Sequence, residues 1–182
     1  MKTKLFIDPM HINQRLTREF FARDVLIVAP LLIGKKLVLG KEKDIFTCAV
    51  ITDVEAYRGV EDKACHASRG RTPRTEVMFQ TGGKIYVYFV YGMYWMLNIV
   101  TGEEDNPQAV LIRGVEGITG PGRITKRLGI DGSFYGEDLT ESHRIWIEDS
   151  RGSFKYTTGP RIGIDYSGEP WKNKPWRFIL EP

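Results

Sequence analysis

Glu55 and Tyr57 stand two residues apart in the run Asp53-Val54-Glu55-Ala56-Tyr57. In a strand, alternate side chains share a face, so this carboxylate and this ring project together. That pairing suits one kind of chemistry. The ring stacks on a flat substrate while the carboxylate takes a proton from water. The plainer alternative is a surface glutamate on a strand edge beside a packed tyrosine. A second run, Lys84 to Trp95, carries Tyr86, Tyr88, Phe89, Tyr91, Tyr94 and Trp95. Tyr86 and Tyr88 share a strand face, and Tyr91 falls where Tyr91-Gly92-Met93 reads as a hairpin turn. Core packing accounts for Phe89, Tyr94 and Trp95. A tyrosine at an exposed tip beside basic clusters points to nucleic acid, because rings stack on bases or wedge between them.

Other chemistries find less support. His66 follows Glu61, Asp62 and Cys65, but that spacing matches no standard metal motif, and His11 and His143 add no evident partner set. No metal and no cofactor is expected. His66 is either a solvated or hydrogen-bonded loop side chain or another flat stacking face. There is no glycine-rich phosphate loop, no GxSxG and no usable Cys-His arrangement. Gly120-Pro121-Gly122-Arg123 reads as a helix start able to approach a phosphate, or as an ordinary turn.

The elements that must hold these residues read as mixed. Leu16 to Leu32 reads as short helical pieces, with Asp24 as an N-cap, Pro30 restarting a turn and Gly34 ending it. Lys35 to Leu39 and Phe46 to Tyr57 read as strands. The second places Val50, Thr52 and Val54 on one face and Ile51, Asp53, Glu55 and Tyr57 on the other. Gly59 to Pro73 is a polar loop. Lys84 to Val90, Tyr94 to Val100 and Gln108 to Val115 are strands, and Gly120 to Ile130 is a helix. The remainder reads as short strands and loops. Strands and helices do not alternate regularly, so the expected class is α+β in a single domain over 1–182, with residues 1–15 loosely ordered.

The chain has 182 residues with 26 basic and 23 acidic side chains, a net +3 that permits a nucleic-acid partner without requiring one. Arg69, Arg71 and Arg74 form one basic cluster, and Arg123, Lys126 and Arg127 another. Glu103, Glu104 and Asp105 read as a solvated turn. Cys48 and Cys65 make neither a disulfide framework nor a zinc site. No apolar run is long enough to span a bilayer, and no signal peptide is evident. The expected protein is a monomer in a bacterial cytoplasm, with the nucleoid.

In order, Val54-Glu55-Ala56-Tyr57, Asp62-Lys63-Ala64-Cys65-His66, Arg71-Thr72-Pro73-Arg74, the run Tyr86 to Tyr94, Leu97-Asn98 and Val110-Leu111-Ile112-Arg113 resemble the alkyladenine (3-methyladenine) DNA glycosylase family. The resemblance runs from about Leu26 to about Phe178. It implies a curved, mainly antiparallel sheet with short surrounding helices and a protruding β-hairpin. It also implies roles. Glu55 aligns with the general base, and Arg113 with the residue that helps hold the attacking water. Tyr57, His66 and Tyr88 align with the residues that sandwich a flipped base. Asn98 aligns with the residue that crowds a purine 2-amino group, and Tyr91 with the hairpin residue that fills the vacated stack. Arg71 and Thr72 align with DNA-contacting loop positions, to which Arg74, Met93 and Lys126 are added.

The physics fits those roles. Flipping a base costs about a few kcal/mol, least for a damaged base, and stacking on aromatics returns about 1–3 kcal/mol per ring. Hydrolysis would pass through an oxocarbenium-like sugar. An adjacent Arg113 would keep Glu55 ionised, as a base requires. No lysine matches a Schiff-base nucleophile, so the expected enzyme is monofunctional. It would release 3-methyladenine, 7-methylguanine or hypoxanthine from duplex DNA and leave an abasic site without strand cleavage. A non-catalytic nucleic-acid-binding domain is the main rival, and Glu55 with Arg113 argues against it. An enzyme acting on free nucleosides is the other, and the Tyr91 tip argues against that.

Overall fold

The computed structural model describes residues 14–42, 45–150 and 152–181. The stretch expected to be loosely ordered lies, over residues 1–13, outside them. The described part opens with two short helices, α1 (Arg18–Phe21) and α2 (Val25–Leu32). Asp24 caps α2 by accepting a 2.9 Å hydrogen bond from the Leu26 N–H. Pro30 is taken inside α2 rather than restarting a turn, and the helix ends two residues later.

The strands are β1 (Lys36–Glu42), β2 (Ile45–Arg58), β3 (Ile85–Val90), β4 (Tyr94–Thr101), β5 (Gln108–Val115) and β6 (Ile118–Thr119). After α3 (Pro121–Leu128) come β7 (Ile145–Glu148), β8 (Tyr156–Gly159) and β9 (Arg177–Leu180). They form one sheet with the path β3-β4-β5-β2-β1-β7, and β6, β8 and β9 attach beside it. Every strand pairing among the described residues is antiparallel. The class is α+β, as the irregular order of elements indicated. Among the described residues no helix is long and apolar enough to cross a membrane.

Period-two alternation sorts the central strands into a core face and a site face. Ile85 and Val87 of β3, Leu97 and Ile99 of β4, and Val110 and Ile112 of β5 enter the main core with α2 and the Ile124 and Leu128 side of α3. Tyr86, Tyr88, Asn98, Leu111 and Arg113 leave on the opposite face. That second face is roofed by the segment between β2 and β3. The segment is more than the polar loop expected. It contains short 3-10 turns at His66–Arg69 and Glu76–Phe79, and it buries Asp62, Ala64, Cys65 and Ala67.

β2 departs from the sequence reading at one point. The pairing with β5 runs Ile51↔Val115, Asp53↔Gly114 and Val54↔Ile112, so Thr52 is an extra residue on β2 and Arg113 an extra residue on β5. A bulge of this kind re-aims the side chains beyond it. Ile51 therefore joins Val54 and Ala56 in the core instead of sharing the face of Glu55 and Tyr57. Gly114 makes the bulge possible. A Cβ there would lie 2.8 Å from the Cβ of Asp53 and 2.9 Å from Oγ1 of Thr52.

Candidate active site

Beyond the bulge, β2 delivers Glu55 and Tyr57 to the site face. The Glu55 side chain is wholly buried, and every polar contact it makes is directional. Its Oε1 accepts from the Ile162 N–H at 2.7 Å and lies 3.3 Å from Nη1 of Arg113. Its Oε2 accepts from the Tyr57 hydroxyl at 2.8 Å. Burial raises the Glu55 carboxyl above the usual carboxylate range. Arg113, the Ile162 N–H and the Tyr57 hydroxyl oppose that rise without cancelling it. Arg113 moderates that rise rather than holding the Glu55 carboxyl at an ordinary acidity.

A cavity of about 420 Å³ opens beside this carboxylate. Tyr57, Arg113 and Ile162 line it, and Glu55 lies directly behind them. The volume falls in the range of small-molecule sites. Tyr57 and Tyr88 supply flat walls. His66 adds a third, its ring 4.6 Å from Tyr88 and its Nδ1 2.8 Å from the Tyr86 hydroxyl. Asn98 closes one side. Its Nδ2 donates to the carbonyls of Tyr86 at 3.1 Å and Met96 at 3.2 Å, which fixes the amide against its own sheet. Burial, with help from Arg74 and Arg69, lowers the His66 imidazole to about 4. It is therefore a neutral ring near neutral pH.

A stability signature follows from that lowered value. Unfolded, His66 takes a proton below its ordinary 6.5, while the folded ring refuses one until about 4. Its contribution is present above 6.5 and is lost as pH falls toward 4. His66→Phe keeps a flat ring without the titration. Calorimetry across that window should show the native midpoint falling relative to the variant's. Parallel curves would refute the assignment.

Tyr91 stands at the β3–β4 tip, 87% exposed and lining the cavity mouth. Its φ of 53° is left-handed, a conformation that costs a non-glycine residue about 1–2 kcal/mol. An aromatic side chain held strained and wet at the mouth of a pocket has no packing role.

A sequence profile described as methylpurine-DNA glycosylase matches residues 19–120 and 116–182. Similar curated proteins, provisionally named 3-methyladenine DNA glycosylases, come from several bacteria. One from Desulfitobacterium hafniense is 44% identical, covering 92% of this chain and 96% of its own. One from Wolbachia of Brugia malayi is 46% identical over 92% of this chain and 98% of its own. One from Borreliella burgdorferi is 39% identical over 91% and 96%.

The chain belongs to the methylpurine-DNA glycosylase family.

The remaining candidate positions of this glycosylase family member lie around the cavity rather than in it. Arg74 stands over the Tyr88 ring, its guanidinium carbon 4.9 Å from the centroid. Arg71 binds Glu76 at 3.0 Å and also Asp105, so Asp105 of the expected solvated turn has a partner. Thr72 donates its N–H to Oγ1 of Thr75 at 2.9 Å, shaping the loop. Met93 is exposed in the hairpin turn, and Lys126 is exposed on the last turn of α3.

Sequence reasoning missed Asp62, Arg161 and Ile162 as parts of the site. Gly159-Pro160-Arg161-Ile162-Gly163 was read only as part of the C-terminal short strands and loops, and Asp62 only as the first residue of the Asp62-Lys63-Ala64-Cys65-His66 motif, without a role of its own. The one available signal was an arginine between a proline and an isoleucine in a segment otherwise built of turn residues. Among the described residues no group of three or more histidine, cysteine or acidic side chains could hold a metal.

Proposed function

We propose that this family member flips an alkylated or deaminated purine out of duplex DNA and hydrolyses its N-glycosidic bond. The substrate class comprises 3-methyladenine, 7-methylguanine and hypoxanthine. The observation that carries the reading is Glu55, a wholly buried carboxylate directly behind the wall of an aromatic cavity and held by Ile162, Tyr57 and Arg113. A binding module has no use for a buried carboxylate with a raised proton affinity. A hydrolase has one, because a base poised upward in pKa takes a proton from water more readily.

In this reading the damaged base enters between Tyr57, Tyr88 and His66, and Tyr91 occupies the gap it leaves. Glu55 deprotonates a water admitted beside Arg113, and the resulting carboxylic acid is buffered by the same neighbours. The hydroxide forms a bond to C1′ as the bond to the base nitrogen breaks, and the electron pair leaves with the base. Before it takes the proton, the negative charge of the Glu55 carboxylate also favours the developing sugar cation. A ring-methylated purine is already cationic and needs no further acid. The product is an abasic site with the strand intact. The protein acts as a monomer on DNA in the cytoplasm.

Single-turnover release from duplexes carrying one hypoxanthine or one alkylated purine tests the proposal. Abasic sites should form with no borohydride-trapped protein–DNA adduct. Duplex binding without release from any lesion would leave only a DNA-binding surface, and a trapped adduct would replace hydrolysis with lyase chemistry.

Tyr91 makes a second, independent demand. Tyr91→Gly removes both the wedge and the left-handed strain, since glycine adopts positive φ without steric cost. The variant should unfold at an unchanged or higher temperature and yet bind lesion duplex more weakly and release base more slowly. Unchanged binding and release would remove Tyr91 from the DNA interface.

A further inference from the structure

Arg161 and Asp62 form an ion pair whose side chains are both fully buried. The pairing is two-pronged. Nη1 of Arg161 donates to Oδ2 of Asp62 at 2.6 Å, and Nη2 to Oδ1 at 2.9 Å. Taking two charges out of water costs more than their attraction reliably returns, so such a pair is weak evidence of a stability role. Its remaining contacts show what else it does.

Four pieces of the site meet at this pair. Nη1 of Arg161 also donates to the carbonyl of Ala56 at 2.9 Å, the residue between Glu55 and Tyr57 on β2. The guanidinium carbon lies 4.8 Å from the Tyr57 ring centroid and 5.0 Å from that of Trp176. Asp62 accepts from the N–H of Arg58 at 3.1 Å and of Ala64 at 3.0 Å, and its own carbonyl accepts from Cys65 at 2.8 Å. Those bonds set the start of the turn that carries His66. Ile162, whose N–H holds Glu55, is the next residue after Arg161. Arg161 Nε is buried with no partner, so the fork is oriented by its acceptors and not by its own full satisfaction.

We propose that Arg161 and Asp62 are positioning residues that lock the Tyr57 wall, the His66 wall and the Ile162 N–H into one geometry around Glu55. The proposal rests on the glycosylase reading above. Neither residue lines the cavity, so neither touches the substrate base directly. A planar fork is required, because a lysine ammonium carries the charge without two fixed donor directions.

The test must separate misplacement from unfolding. Leaving one member alone would strand a buried charge, so the main variant is the double Arg161→Met/Asp62→Asn. It removes both charges and leaves an oxygen to accept a backbone N–H of the Asp62 loop. Arg161→Lys, which keeps the charge and loses the fork, accompanies it. Each is measured by thermal unfolding, by binding to lesion duplex and by single-turnover release across pH. Glu55 is also faced by Arg113 from β5, by Asp53 and Tyr57 from β2, by Tyr88 from β3 and by Arg177 from β9, and all of these stay.

The folded double variant should bind duplex within severalfold of native and release base on the order of 10- to 100-fold more slowly. Its acidic limb should move to higher pH, because a displaced Ile162 N–H supports the Glu55 anion less. Arg161→Lys should show the same upward shift and carries the test if the double variant does not fold. Native release rates and an unshifted acidic limb in either folded variant would overturn the proposal. If the native protein itself releases no base, the glycosylase reading has failed, and that outcome is distinct from failure of the positioning role.

Discussion

Glu55→Gln should release base about 10²–10⁴-fold more slowly than the native protein and unfold at a higher temperature. The rate loss follows from removing the group that takes the proton. The stability gain follows from burial. The Glu55 carboxyl sits above its ordinary range even with Arg113 beside it, so burial outweighs the attraction. The folded state therefore holds that proton more tightly than the unfolded chain does. Stability from this group is full at low pH and is lost as pH rises through the folded value, so the ionised side chain works against the fold near neutrality. Glutamine removes that charge and keeps the bonds. Its Oε1 still accepts from the Ile162 N–H and faces Arg113, and its Nε2 donates to the Tyr57 hydroxyl, which rotates to accept. Calorimetry of the two proteins should show a midpoint difference that is positive near neutral pH and disappears in acid. A variant less stable than native at every pH would mean that Glu55 serves the fold. A release rate within tenfold of native would take the general base away from Glu55.

Tyr86 and Tyr88 reached the correct face because strand alternation is local and β3 pairs without interruption along them, whereas Asn98 and Arg113 were placed by the family resemblance. Gln108–Val115 is a strand with the same bounds in the sequence reading and in the structure. Tyr91 was legible because glycine follows it in a short turn between two apolar runs. The bulge at Thr52 was not legible. It depends on Gly114 of another strand admitting the close approach, and the pattern of β2 alone places Ile51 on the wrong face. The Arg161–Asp62 pair spans 99 residues of sequence and joins two segments that show no periodicity. Arg71 presents the same difficulty in part. It pairs locally with Glu76, five residues on, but its second carboxylate partner Asp105 lies 34 residues away. Charge pairing across such separations is set by the sheet path, which no window along the chain contains.

Arg113→Met should make activity and stability move in opposite directions with pH. Arg113 is the only cation within ion-pair distance of Glu55 among the described residues, at 3.3 Å from Oε1. Without it the already raised carboxyl rises further, and Glu55 is protonated over more of the working range. Release near neutral pH should fall by about 10²-fold, because less base is ionised and the water loses one of its anchors. Raising the pH restores the anion and part of the rate. It also restores the cost, since a buried carboxylate without its cation is opposed by about 3–5 kcal/mol. The sign is that of a raised carboxyl. The variant is most stable in acid and loses stability as pH rises through the folded value of Glu55. Release rate should therefore climb over the same interval in which the unfolding midpoint drops. The double variant Arg113→Met/Glu55→Gln should show neither trend, because position 55 no longer titrates. A rate deficit in Arg113→Met that is constant from about pH 6 to 9 would limit Arg113 to holding the water and detach it from the ionisation of the base.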